Sequence, residues 1–206
     1  QWSSSAASDV YKRQNININF MSKLQLIYFN LRALCEAPRM MLHIADIEYS
    51  YEMAWDYFKK PWGDVKKEVI FHKLPLLVID EKIEIWQSNT ISRYIAKLTN
   101  NIPNNEEMVA YADSIFESAH DLFFPLNPTI NVWVGEMHIK NKKNLLDEIL
   151  PKAFTNFEKL LSKHEGNFFL GERAYYCDFN VYHHVSLALL LDLSLIHISE
   201  PTRQSL

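Results

Sequence analysis

Cysteines, long apolar runs and basic clusters are all scarce in this sequence. Only two cysteines, Cys35 and Cys177, occur among 206 residues, which argues against a disulfide framework and favours a reducing, cytoplasmic compartment. No stretch approaches the roughly 18 uninterrupted apolar residues of a membrane span. Basic runs are no longer than two residues and the formal net charge is -4. The sequence therefore predicts neither a membrane protein nor a nucleic-acid-binding protein.

The eight histidines show no zinc-like pairing with cysteines or carboxylates. His183 and His184 are adjacent, and adjacent side chains on a helix point about 100° apart, which is unsuited to sharing one metal ion. We expect no structural metal.

The two ends differ in character from the rest of the chain. The segment VYKRQ near the start and the segment SLIHISEPTRQ near the end resemble translated library-adapter sequence found at the ends of assembled transcripts. We expect residues 1–20 to be a non-native or untranslated-derived leader and residues 193–206 to be an adapter-derived tail. The last helical stretch would then be truncated near Asp192.

Between the ends, the hydrophobic pattern changes once. Residues 21–100 alternate between short strands and helices in the order β-α-β, connector, β-β-α, which is the plan of a thioredoxin-like α/β domain. Two strands, PLLVID and KIEIW, are separated by a hairpin-sized gap and should pair antiparallel. The polar segment NNIPNNEE is typical of a linker. Apolar residues within 106–192 recur every three or four positions, which predicts an all-helical domain.

The junction WQSNTISRYIA carries the first functional signal. A strand leads directly into a helix here, and Ser88 stands where a helix N-cap belongs. The N–H groups at a helix N-terminus also attract anions, by about 0.3–1 kcal/mol. We expect Ser88 to cap the helix, to bind an anion, or to do both.

Four segments together resemble the cytosolic glutathione transferases, and the sigma class in particular. They are KLQLIYFNLR at the first strand, HKLPLLVID at the third, WQSNTISRYIA at the next helix and GERAYYCDFNVY at the long buried helix of the second domain. The resemblance covers residues 23–192. It implies an α/β thioredoxin-like N-terminal domain followed by an all-α C-terminal domain, with glutathione as co-substrate and no metal. It also implies a homodimer that transfers glutathione to small hydrophobic electrophiles.

The resemblance assigns glutathione contacts to particular positions. Gln87 and Ser88 would hold the γ-glutamyl carboxylate, while Trp62 and Lys66 would hold the glycine end. The full implied set is Tyr28, Trp62, Lys66, Lys73, Leu74, Pro75, Gln87 and Ser88, with Asp121 supplied by the partner subunit.

Two of these positions have distinct roles in the family. Tyr28 would be the catalytic residue, because a phenol hydrogen bond to the glutathione sulfur stabilises the thiolate, which is the nucleophile. The bond before Pro75 would be cis, which leaves the backbone of Leu74 free to pair with the cysteine of glutathione.

The electrophile site is less well defined. The resemblance places four residues in its wall: Phe29, Leu31, Asn180 and His184. It adds unspecified residues of the region 113–127 and the C-terminal segment. Within that region, we expect Asp113 and Glu117 to lie on a solvated acidic face. Prostaglandin isomerisation occurs in the class, but no residue here selects it.

Two positions depart from the family pattern. Ala33 and Leu34 stand where the family has Gly-Arg, so the cation that helps to hold the thiolate is missing. Tyr175 stands three residues before Asp178, where the family prefers Ser or Thr, so the helix that begins there should be weaker or capped differently.

Two alternatives stay open. One, favoured by Leu34, is a glutathione-binding structural or low-activity relative, comparable to the lens crystallins related to this class. The other is a thiol transferase that uses Cys35, which falls near the start of the first helix. The segment ALCEAPR has no second cysteine at the usual spacing, which argues against the second alternative.

Overall fold

The computed structural model describes residues 22–191, so the expectations for the two ends of the chain lie outside the described residues. The first half contains a mixed sheet in the order β2-β1-β3-β4. Strand β1 pairs parallel to β2 and antiparallel to β3, and β3 pairs antiparallel to β4. The strands are β1 Leu24–Tyr28, β2 Ser50–Met53, β3 Leu76–Ile79 and β4 Ile83–Trp86. The predicted β3–β4 hairpin is confirmed.

The remaining named elements of the described chain are helices. In the first half they are α1 Glu36–Ile44, α2 Ala54–Phe58, α3 Trp62–Val65 and α4 Ser88–Leu98. In the second half they are α5 Glu106–His120, α6 Phe123–Asn131, α7 Gly135–Asn144, α8 Leu150–Leu161 and α9 Tyr176–Ala188. Short turns of 3-10 helix occur at Ala33–Cys35 and Ile70–His72, and a π-helical turn occurs at Leu145–Ile149. The predicted order, an α/β domain followed by an all-helical domain, is confirmed. No helix within residues 22–191 is long and apolar enough to cross a membrane.

The two central strands are buried on both faces. Leu26 of β1 lies opposite Leu77 of β3, and both side chains are fully buried. Strand β4 lies at an edge of the sheet and leaves Ile83 58% exposed. Because the central strands are fixed by this packing, the residues at their ends have defined positions.

Helix α9 joins the two halves of the molecule, since it packs against α5 of the second half and α1 of the first. At its start, the Asp178 carboxylate accepts hydrogen bonds from the N–H groups of Tyr175 and Phe169, each at 2.9 Å. Asp178 therefore bonds the N–H of the N-cap residue, as the N3 residue of a capping box does, whereas a Ser or Thr N-cap would accept from N–H groups inside the first turn. The prediction that this helix is capped differently is confirmed.

The carboxylates of α5 form ion pairs with α4. Arg93 Nε donates to Asp113 Oδ1 at 2.8 Å, and Arg93 also pairs with Glu117. The Tyr176 hydroxyl of α9 donates to Asp113 Oδ1 at 2.5 Å. The expectation of a solvated acidic face was wrong, because the sequence does not reveal that Arg93 lies across from these two residues.

Candidate functional site

A cavity of about 380 Å³ lies where the ends of several elements meet. Its wall is formed by the end of β1, the start of α3, the entry to β3, the turn from β4 into α4, and the junction of α5 with α6. Seven of the predicted glutathione-binding residues line it: Tyr28, Trp62, Lys66, Lys73, Leu74, Gln87 and Ser88. Residues that are far apart in the sequence are therefore brought together around one space.

Tyr28 ends β1 and is 4% exposed. Burial raises the pKa of its phenol well above the ordinary value, and a charge on the nearby Cys35 would raise this pKa further. A hydrogen bond with the backbone of Leu34 has the opposite, smaller effect. The phenol therefore stays protonated at neutral pH and is available as a hydrogen-bond donor to the cavity.

An aromatic wall and two cations lie along one side of the cavity. Trp62 contacts Phe29 edge-on, with 5.5 Å between ring centroids. Lys66 and Lys73 are exposed residues on the same side, and the carbonyl of Lys66 accepts a hydrogen bond from His72 Nδ1 at 2.9 Å. Two lysines that line the same cavity as an indole ring suit an anionic group such as a carboxylate.

The entry to β3 has the predicted backbone geometry. The bond between Leu74 and Pro75 is cis, which confirms that prediction. Leu74 borders the cavity, and Pro75 is buried directly behind it.

The turn into α4 differs from the prediction in one respect. Gln87, not Ser88, is the N-cap residue, and Ser88 is the first residue of the helix. No side chain caps the helix, and the Ser88 hydroxyl donates to Asn89 Oδ1 at 3.3 Å. Gln87 has φ 73° and ψ 121°, a conformation that costs an L-residue about 1–3 kcal/mol and that often marks functional sites.

The helical side of the cavity is formed by His120, Phe123 and Phe124. The sequence pointed to the region 113–127 but not to these three side chains. The sequence does contain a signal that could have found them, because the three rings are at positions i, i+3 and i+4. Residues with this spacing lie on one face of a helix.

Several predicted residues lie away from the cavity. Leu31 is 39% exposed and Asp121 is also exposed, and neither lines the cavity. Asn180 and His184 are 4% and 1% exposed, so both are buried within the helical domain. Asn180 Nδ2 donates to the carbonyl of Phe116 at 2.8 Å, and His184 Nδ1 donates to the carbonyl of Asn180 at 2.8 Å. On a helix buried on most sides, the sequence pattern cannot show which face borders a cavity.

Cys35 is fully buried and does not line the cavity. Burial raises the pKa of its thiol well above the ordinary value. A buried, protonated thiol is a poor nucleophile, so the structure argues against a thiol transferase that uses Cys35.

A larger, more open groove of about 830 Å³ lies between residues 22–24 and 46–50. It contains none of the predicted site residues, so volume alone does not identify it as the functional site.

Among residues 22–191, no group of three or more His, Cys, Asp or Glu side chains is arranged to hold a metal ion.

Comparisons with known proteins agree with this geometry. The family model for the N-terminal domain of glutathione S-transferases matches residues 24–97, and a model for the C-terminal domain matches residues 120–196. Human glutathione S-transferase Mu 3 is 33% identical over 168 residues, covering 78% of this chain and 72% of that protein. The chain belongs to the glutathione S-transferase family.

Other glutathione S-transferases match over most of their length. Glutathione S-transferase P 10 of Caenorhabditis elegans is 24% identical over 176 residues, covering 85% of this chain and 80% of that protein. The solved structure of the Pi-class glutathione S-transferase of Onchocerca volvulus superposes with a TM-score of 0.73 at 28% identity, covering 85% of this chain and 81% of that one. The chain is therefore a transferase with glutathione as co-substrate. The three relatives above have Pi-type or Mu names, so they do not confirm the predicted sigma class.

Proposed function

We propose that glutathione binds in the 380 Å³ cavity and that Tyr28 donates a hydrogen bond to its sulfur, which stabilises the thiolate for attack on small hydrophobic electrophiles. The observation that carries this proposal is the buried phenol at the end of β1, which lines the same cavity as the start of α4. A free thiol with a pKa near 8.5 is only a few per cent ionised at pH 7, so a donor at the sulfur raises the fraction of reactive thiolate.

The proposed orientation of glutathione is the one that the family resemblance implies, and the charges around the cavity are compatible with it. The γ-glutamyl carboxylate lies at Gln87 and Ser88, where the first N–H groups of α4 have no side-chain cap and the helix dipole favours an anion. The glycine carboxylate lies at the opposite side, against Trp62 and the two ammonium groups of Lys66 and Lys73. Between them, the backbone of Leu74, held by Pro75, pairs with the cysteine of glutathione.

The electrophile occupies the apolar part of the cavity. Phe29 borders it from the sheet side, and Phe123 and Phe124 border it from the helical side. Leu31, Asn180 and His184 stay predictions for this site, and no contact with the cavity supports them.

The quaternary structure and the class belong to the same proposal. Asp121 is exposed at the end of α5, where a two-fold homodimer would bring it to the amine of glutathione bound in the partner subunit. The sequence Tyr-Phe-Asn, which starts at the last residue of β1, supports a sigma-like class, and a role in detoxification is part of the same proposal. Two buried cysteines that form no disulfide fit a reducing, cytoplasmic compartment.

Replacement of Tyr28 tests the catalytic role. Tyr28→Phe removes only the hydroxyl, so glutathione affinity should stay near wild type while kcat/KM for an aryl halide at pH 6.5 falls by about 10- to 100-fold. Tyr182→Phe is the matched control, because Tyr182 is 63% exposed and does not line the cavity. Near wild-type turnover by Tyr28→Phe would show that another group stabilises the thiolate.

One observation favours a second candidate, a glutathione-binding relative with low activity. Leu34 lines the cavity, and its apolar side chain supplies no charge to the thiolate. Such a protein would bind glutathione with ordinary affinity but leave its thiol pKa near the free value.

A further inference from the structure

His120 is a polar side chain in a part of the cavity wall that is otherwise aromatic. Its ring lies parallel to Phe123, with 6.0 Å between centroids and 8° between planes. Phe124 contacts it edge-on at 5.8 Å and 83°. These two rings hold the imidazole in place, and it shares the cavity with Tyr28 and Leu34.

The groups around His120 keep it neutral. Burial lowers its pKa, and Arg93 of α4 acts in the same direction, whereas Glu117 of α5 and Asp121, the residue directly after α5, raise the pKa. His184 of α9 faces it edge-on, with 6.5 Å between centroids, and burial lowers the pKa of His184 to about 4. At neutral pH His120 therefore has one N–H donor and one lone pair.

Such a donor matters for electrophiles that develop negative charge on oxygen. When a thiolate adds to an α,β-unsaturated aldehyde, the S–C bond forms at the β-carbon. The electron pair of the C=C bond then shifts through the conjugated system and leaves an enolate oxygen, and water later supplies the proton that completes the adduct. A fixed N–H group beside that oxygen stabilises the transition state, and a neutral imidazole can fill this role without losing its proton.

We propose that His120 donates a hydrogen bond to the carbonyl oxygen of the electrophile and makes this enzyme selective for α,β-unsaturated carbonyl compounds. The proposal rests on the glutathione site described under the proposed function, because the electrophile must lie beside the sulfur held by Tyr28. It adds a specificity-determining residue that the sequence did not single out.

Two substrates and two variants test this role. Crotonaldehyde develops charge on oxygen, whereas benzyl chloride places it on the departing chloride, a weaker hydrogen-bond acceptor. His120→Phe keeps a ring between the two phenylalanines but removes the N–H, so kcat/KM for crotonaldehyde should fall by about 10- to 100-fold. For benzyl chloride it should change by less than about 2-fold. His120→Gln keeps an N–H donor and should retain most of the crotonaldehyde rate.

Glutathione affinity and thermal unfolding, measured on both variants, establish that the site is intact. Equal losses with both substrates in His120→Phe, or no loss with crotonaldehyde, would overturn the proposal. A different result would contradict the proposed function itself: a benzyl chloride rate in Tyr28→Phe equal to that of the wild type.

Discussion

At the scale of single residues, the reactivity of bound glutathione depends on what surrounds its sulfur. Leu34 and Tyr28 both line the cavity; the leucine is apolar, and the tyrosine is a protonated donor because burial raises its pKa. A hydrogen bond to a charged group contributes about 1.5–3 kcal/mol, and each pKa unit corresponds to about 1.4 kcal/mol. Tyr28 alone can therefore lower the thiol pKa by about one to two units.

A cation at position 34 should add to this effect. In Leu34→Arg, a guanidinium within about 4–6 Å of the sulfur would lower the bound thiol pKa by about one further unit and raise turnover near pH 6.5. Leu34→Met is the matched control, since it is long but uncharged. An unchanged thiolate titration in Leu34→Arg would show that the sulfur lies out of reach of this position.

At the scale of secondary-structure elements, a polar network fixes the helix whose N-terminus borders the cavity. Asn89 in the first turn of α4 donates to Glu117 at 2.8 Å, and Arg93 one turn later binds Asp113 and Glu117 of α5. Tyr176 connects Asp113 to α9. These contacts fix the position of α4 and, with it, the N–H groups of its first turn.

Removal of Arg93 should loosen this arrangement. Arg93→Met leaves Asp113 and Glu117 without their shared cation, so the free energy of unfolding should fall by about 1–2 kcal/mol, with weaker glutathione binding. Lys152→Met breaks an exposed pair with Glu148 and should cost less than about 0.5 kcal/mol. Equal effects of the two variants in chemical denaturation would contradict a special role for the network.

The sequence predicts elements better than it predicts contacts between them. The β3–β4 hairpin and the α/β-then-helical order depend on local patterns, and both are confirmed. Tyr28, Trp62 and Ser88 could be assigned to one site because the family motifs carry their positions. Arg93 opposite Asp113 could not be predicted, since a helix pattern does not give the rotation of one helix against another.

At the scale of the whole molecule, the proposed homodimer would complete each site with a residue from the second copy of the chain. In the proposed site, Trp62, Lys66 and Lys73 would bind the glycine end of glutathione and Tyr28 its sulfur, while Asp121 lies outside the cavity. A carboxylate from a partner subunit would complete the site at the ammonium group, through a charge-assisted hydrogen bond.

Loss of this carboxylate should weaken binding without affecting the sulfur. Asp121→Asn should reduce glutathione affinity by about 5- to 30-fold and leave the thiol pKa unchanged, because it acts at the far end of the ligand. Glu107→Gln, an exposed acidic residue in the first turn of the same helix, is the control. Sedimentation that shows a monomer with full glutathione affinity would exclude a shared site.

The most direct measurement is a pH titration of the bound glutathione thiol by ultraviolet absorbance of the thiolate. Tyr28 stays protonated in this range because burial raises its pKa, so its own ionisation does not interfere. In the wild type the thiolate should appear about one to two pH units below free glutathione, whereas in Tyr28→Phe the midpoint should return close to the free value. The same lowered midpoint in both proteins would contradict the central claim that Tyr28 stabilises the thiolate.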